Sequence, residues 1–187
     1  MQIKTTALKG VVVITPTRFG DDRGFFSETW NKRILIEHGL NFPDFVQDNH
    51  SYSSRSGTVR GLHYQSPPNA QCKLVRCSRG SIFDVAVDVR AGSASYGDWY
   101  GRELSFANGE QLWIPAGFLH GFMTLEPDSE IVYKCTDYYS PESDGAVRWD
   151  SCGIDWPVNC ALDSISKKDS GALPFSDFKT PFTGEEY

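Results

Sequence analysis

Nowhere in this 187-residue chain does an apolar run approach the roughly 18–20 residues that a membrane-spanning helix needs. No CxxC pair occurs among the five cysteines, Cys72, Cys77, Cys135, Cys152 and Cys160. Their odd count argues against a disulfide framework or a structural zinc site, so reduced thiols in the cytoplasm are expected. Basic residues are in the minority, with 18 Lys and Arg against 24 Asp and Glu. The resulting net charge of −6 speaks against general nucleic-acid binding. Met1-Gln2-Ile3-Lys4 leads into polar residues rather than the apolar core of a signal peptide. Internal repeats, linkers and low-complexity segments are missing as well. One domain over residues 1–187 is expected, with residues 170–187 as a C-terminal tail.

Hydrophobic residues, at 40%, can build a sizeable core, and 17 Gly with 10 Pro punctuate the chain as many short strands and turns would require. Gly10 to Thr15 is rich in β-branched residues and reads as a strand. Asp21-Asp22-Arg23-Gly24 reads as a turn, and Phe25 to Trp30 as extended chain. Asn31 to His38 has the spacing of a helix, with Asn31 as its cap and Gly39 as its stop. From Phe45 onward, strand signals recur about every ten residues. The clearest is Ser81 to Arg90, where Phe83, Val85, Val87 and Val89 alternate with Ile82, Asp84, Ala86 and Asp88. The series predicts an all-β fold, an antiparallel jelly roll or barrel with a few short peripheral helices. One of these is expected near Ser164 to Asp169, after the periodicity fades at Trp156-Pro157.

Gly109, Pro115, Gly117 and His120 spell G-x5-P-x-G-x2-H, which resembles the second conserved motif of the cupin superfamily. That resemblance puts His120 at the start of a strand, facing the interior. The first cupin motif, G-x5-H-x-H-x3,4-E, is met only at Gly57 and His63. Gln65 stands at the second histidine position, and Asn69 or Ala70 at the glutamate position. A lone pair of histidines is a poor divalent-metal site, so neither a metal nor any other cofactor is expected. His63 is then available as a general base, the alternative being a satisfied core histidine.

Around His63 the sequence reads Arg60-Gly61-Leu62-His63-Tyr64-Gln65, with Lys73 on the next strand. Strand alternation sets His63 and Gln65 on one face and Arg60 on the other. Uniting Arg60 and His63 in one pocket requires a bulge or a twist, which Gly61 can supply. So many ionisable groups in strands are costly to bury, which favours a site over a core.

These residues closely resemble the dTDP-4-dehydrorhamnose 3,5-epimerases. So do Ala70-Gln71-x-Lys73-Leu74-Val75, Phe83 to Asp88, Gln111 to Pro115, His120-Gly121-Phe122, Tyr133-Lys134, Asp137 to Pro141 and Ile154 to Pro157. The resemblance covers roughly residues 10–169. It implies conversion of dTDP-4-keto-6-deoxy-D-glucose to dTDP-4-keto-L-rhamnose, inverting C3 and C5 beside the C4 ketone. That chemistry needs a base, a donor at the developing enolate oxygen, and an acid on the opposite face. By resemblance, His63 is the base, Asp169 orients it, Lys73 faces the C4 oxygen and Tyr133 is the proton donor. A phenol, with an ordinary pKa of about 10, is protonated at neutral pH.

For the nucleotide, the resemblance assigns Arg23 and Arg60 to the diphosphate, and Glu28, Gln47 and Asn49 to the pocket wall. Tyr139 is assigned to stack on thymine, Phe26 to extend that surface, and His120 to face the sugar. Asp144 stands where relatives often carry Glu. A homodimer is implied, with N-terminal strands packing across the interface, and a cytoplasmic enzyme of rhamnose and surface-polysaccharide synthesis. Four competing readings share parts of this pattern: an epimerase acting at C3 only, a 3,4-ketoisomerase, which Tyr133 and the Arg60 to Gln65 run fit less well, a metal-dependent cupin oxygenase, and a non-catalytic sugar-nucleotide-binding cupin.

Overall fold

The computed structural model describes residues 1–157 and 164–183. Strands β1 (Gln2–Thr5), β2 (Val12–Thr15), β10 (Gln111–Ile114), β7 (Lys73–Arg79), β12 (Ser129–Cys135) and β5 (Gln47–Ser53) follow one another, in that order, across a six-stranded sheet. A five-stranded sheet has the order β13 (Asp144–Ala146), β6 (Val59–Gln65), β11 (Phe118–Thr124), β8 (Ser81–Asp88) and β9 (Trp99–Ser105). Strands β3 (Arg18–Asp21) and β4 (Gly24–Ser27) form a separate hairpin. The strand pairs are antiparallel, as the jelly-roll reading requires.

Side-chain alternation decides what each sheet buries. Val13, Val75, Leu112 and Ile131 of one sheet meet Ile82, Ala86, Leu104 and Phe122 of the other in a shared core. On β8, the intervening Val85 and Val87 join a second cluster with Leu62, Leu119, Phe178 and Phe182. Strand β8 is therefore buried on both faces, and its two carboxylates are fully enclosed. A third cluster seats Leu35 and Phe42 against Val12, Leu74 and Trp113. Leu35 belongs to helix α1 (Lys32–Glu37), where Asn31 Oδ1 accepts the Ile34 N–H at 3.2 Å. Gly39, at φ +81°, follows the last turn. The extended segment expected from Phe25 to Trp30 is strand only as far as Ser27.

Two local features build the site. Between His120 and Phe122, the pairing of β11 with β6 shifts register, opposite Gly61 at φ +115°. A Cβ at Gly61 would lie 2.7 Å from both Gly121 Cα and His120 O, so only glycine permits this approach. The expected bulge is thus present. His63 pairs with His120 and Arg60 with Phe122. The second feature is helix α2 (Lys167–Ser170), capped by Ser166, whose Oγ accepts the Asp169 N–H at 3.0 Å. The helix starts after the expected Ser164 because Ser166, not Ser164, supplies the cap. His120 is the third residue of its strand rather than the first.

Candidate active site

Strands β6, β7, β11 and β12 and helix α2 converge on a cavity of about 260 Å³. Its walls include Arg60, His63, Lys73, His120, Tyr133 and Asp169. A second cavity of about 390 Å³ has His63, Lys73, Tyr133 and Lys168 in common with it, and adds Gln47, Asn49, Tyr139 and Asp144. Spaces of this size accommodate a substrate-sized organic ligand.

His63 Nε2 lies 2.6 Å from Asp169 Oδ1. Asp169 is nearly enclosed, and its Oδ2 accepts the Gly61 N–H at 3.3 Å. Burial alone would raise the Asp169 pKa. Hydrogen bonds from His63, Gly61 and Ser166, with the attraction of His63, outweigh burial and hold the carboxyl below its ordinary value. Asp169 is therefore an anion that fixes the orientation of the ring.

A second such pair stands alongside, His120 Nε2 being 2.8 Å from Asp84 Oδ1. Burial lowers the His120 pKa against the opposing pull of Asp84. Burial also lowers the Lys73 pKa, with Cys135, Asp84 and Asp144 acting against it. An ammonium stripped of water exerts a stronger field on an oxyanion beside it. Burial raises the Tyr133 pKa, so its phenol keeps its proton at neutral pH. The pocket thus combines an oriented imidazole, a buried lysine amine and a protonated phenol. Together these can move a proton from carbon and stabilise the resulting enolate.

A family model described as dTDP-4-dehydrorhamnose 3,5-epimerase matches residues 5–177. The enzyme of that name from Sinorhizobium fredii is 51% identical over 97% of this chain and 93% of its own length. A solved dTDP-6-deoxy-D-glucose-3,5-epimerase from Legionella pneumophila, in complex with dTDP-4-keto-L-rhamnose, superposes with a TM-score of 0.89 at 41% identity. That match covers 97% of this chain and 96% of the other. The Bacillus anthracis enzyme with TDP and PPi bound gives a TM-score of 0.88 at 42% identity, covering 92% and 98% of the two chains. The chain belongs to the dTDP-4-dehydrorhamnose 3,5-epimerase family. It is an isomerase of the cupin fold.

In this epimerase most of the expected site residues come together. His63, Lys73, Tyr133, Asp169, Arg60 and His120 share the first cavity, while Gln47, Asn49, Tyr139 and Asp144 line the second. Arg60 is braced by Ser53 and by Tyr52 O, the latter at 2.9 Å. Tyr139 donates its hydroxyl to Asp144 at 3.1 Å and its N–H to Gln47 at 2.9 Å. Arg23, Phe26 and Glu28 do not line either cavity. Arg23 sits at the tip of the β3–β4 hairpin, its side chain 89% exposed and paired with Asp21. Phe26 is exposed on the same ribbon, and Glu28 accepts from Asn31 at the start of α1. The hairpin pairs with neither sheet, so within one chain it carries these residues clear of the pocket.

Sequence reading overlooked Asp84, Lys168, Ser51 and Ser166. Asp84 left one trace, a carboxylate set between the apolar residues Phe83 and Val85. Lys168 left only its adjacency to Asp169, and it ion-pairs with Asp144. Among the described residues no group of three or more His, Cys, Asp or Glu is placed to hold a metal ion.

Proposed function

We propose that this epimerase converts dTDP-4-dehydro-6-deoxy-D-glucose to dTDP-4-dehydro-L-rhamnose, with His63 as the base at both C3 and C5. The observation that carries this is the 2.6 Å contact between His63 and Asp169 in a cavity that also holds Lys73 and Tyr133. With Nε2–H directed at Asp169, Nδ1 keeps the lone pair that takes the carbon-bound proton. As the C–H bond breaks, its electrons move into the enolate, whose oxygen faces the Lys73 ammonium. Tyr133 then delivers a proton from the opposite face, and inversion results. Gln47, Asn49, Tyr139 and Asp144 receive the nucleotide end, and Arg60 the diphosphate, where a guanidinium offers paired donors.

In the same reading the enzyme is one cupin domain that works as a homodimer in the cytoplasm, feeding rhamnose and polysaccharide synthesis. Exposed Arg23 and Phe26 support the dimer, because a partner pocket would give them the ligand that their own chain does not. The test is proton NMR in deuterated water with dTDP-4-keto-6-deoxyglucose. Both C3–H and C5–H should exchange, and His63→Ala should stop exchange while dTDP still binds. Exchange at C3 alone would mark a mono-epimerase. Undiminished exchange in His63→Ala would remove His63 from the role of base.

A further inference from the structure

The catalytic histidine and its orienting carboxylate come from distant parts of the chain, 106 residues apart. His63 lies in a strand paired on both sides, by β11 and β13. Asp169 lies outside both sheets. It rides on a four-residue helix, far too short to hold its own position. Something outside α2 must therefore keep the carboxylate in place.

The Gly61 N–H on β6 is one such hold, and the chain after α2 supplies others. Leu173 bridges to Val147 and accepts the Arg148 N–H at 2.9 Å, and Val147 itself exchanges backbone hydrogen bonds with Leu62. Further on, Thr180 Oγ1 donates to Val89 O, and the Ala91 N–H donates to Phe182 O at 2.8 Å. Phe178 and Phe182 are buried in the cluster that contains Leu62, the residue before His63. Both rings also meet Tyr64, the residue after it, edge-on, with centroids 5.4 and 6.1 Å away. The arm thus grips β6 on either side of His63, and the helix leading into it presents Asp169 to His63.

We infer that the C-terminal arm, residues 171–183, is a positioning element of the His63–Asp169 pair, with Phe182 as its anchoring residue. Phe182 touches neither cavity, so it acts through Asp169 rather than on the substrate. The inference rests on the proposed role of His63, and its test separates the two.

The experiment compares Phe182→Ala, Phe182→Leu, Thr180→Val and His63→Ala in the full-length protein. Three quantities are read: kcat and KM for the dTDP-4-keto sugar, cooperative thermal unfolding, and the downfield proton resonance of the 2.6 Å His63–Asp169 hydrogen bond. A carboxylate displaced by about 1 Å costs roughly 100-fold in rate. Phe182→Ala should unfold cooperatively and lose the resonance. Its kcat should drop by about that factor, with KM little changed, and Phe182→Leu should restore both rate and resonance. If Phe182→Ala does not fold, Thr180→Val decides: a weakened resonance and a lower kcat at unchanged KM support the arm's role. A folded Phe182→Ala, or failing that a folded Thr180→Val, with full kcat and an intact resonance overturns the inference. Should His63→Ala retain full exchange, it is the assignment of the base that fails.

Discussion

At the residue scale, buried carboxylates divide into those that work on substrate and those that hold the fold. Asp88 is of the second kind. It is fully enclosed and accepts from Arg90, from Ser93 at 2.7 Å and from Ser95 at 2.6 Å. Burial would raise its pKa, yet the Arg90 guanidinium and the two hydroxyls override it and bring the value to about 2. The unfolded chain has an ordinary aspartate near 3.9. Because the folded value is the lower one, the stabilisation is fully present above about pH 4 and is lost as pH falls toward 2. Asp88→Asn should therefore cost on the order of 2 kcal/mol at pH 7 by urea unfolding. The gap from the parent protein should narrow at pH 3. An equal gap at both pH values would mean that the ionised network is not its source.

At the scale of elements, the bulged pairing of β6 and β11 makes the pocket possible. It turns Arg60 into the cavity that His63 occupies, although plain alternation would separate them. Gly61→Ala would drive a methyl group into Gly121 and His120, at a backbone angle that L-residues avoid. A loss of several kcal/mol in stability and of nearly all epimerase activity is expected, measurable by thermal unfolding and by the exchange assay. Wild-type stability in that variant would show that the strands can separate there without cost.

The elements also show what the sequence disclosed and what it withheld. Strand β8 was legible because alternation is a local property, and the bulge was legible because glycine between Arg60 and Leu62 is a local signal. The cap on α1 was read from a single asparagine and its spacing. The arm after α2 was not legible. It has no period of its own, and its grip comes from Phe178 and Phe182 meeting residues about ninety or more positions away. Among site residues, His63, Lys73 and Tyr133 stood out by family resemblance. Lys168 and Asp84 did not, since each acquires meaning only from a partner brought close by folding. Arg23, Phe26 and Glu28 lie away from both cavities of their own chain, since a position along the chain does not fix where a hairpin and the segment after it point. Cys160 lies outside the described residues. Cys72, Cys77, Cys135 and Cys152 are free thiols.

At the scale of the whole molecule, the β3–β4 hairpin displays Phe19, Phe25 and Phe26 to solvent beside exposed Phe106, with the Arg18 guanidinium 4.3 Å from the Phe25 ring centroid. Exposed aromatic surface of this kind marks an interaction site. Sedimentation at micromolar concentration should give a mass twice that of the 20.9 kDa chain, and Phe26→Asp should shift the population toward monomer. A monomeric parent protein would overturn the proposed dimer.

The late position of Asp169 has a consequence for synthesis. A ribosome makes the chain from its N-terminus, and both sheets are complete in sequence once Ala146 has been added. At that stage a nascent chain contains His63, Lys73 and Tyr133 but lacks Asp169, the carboxylate that orients the base in the proposed mechanism. On the proposed mechanism, competence awaits residues 166–183, when α2 and its arm emerge and pack against β6. On that mechanism a product terminated before Asp169 has no oriented base and should show no turnover.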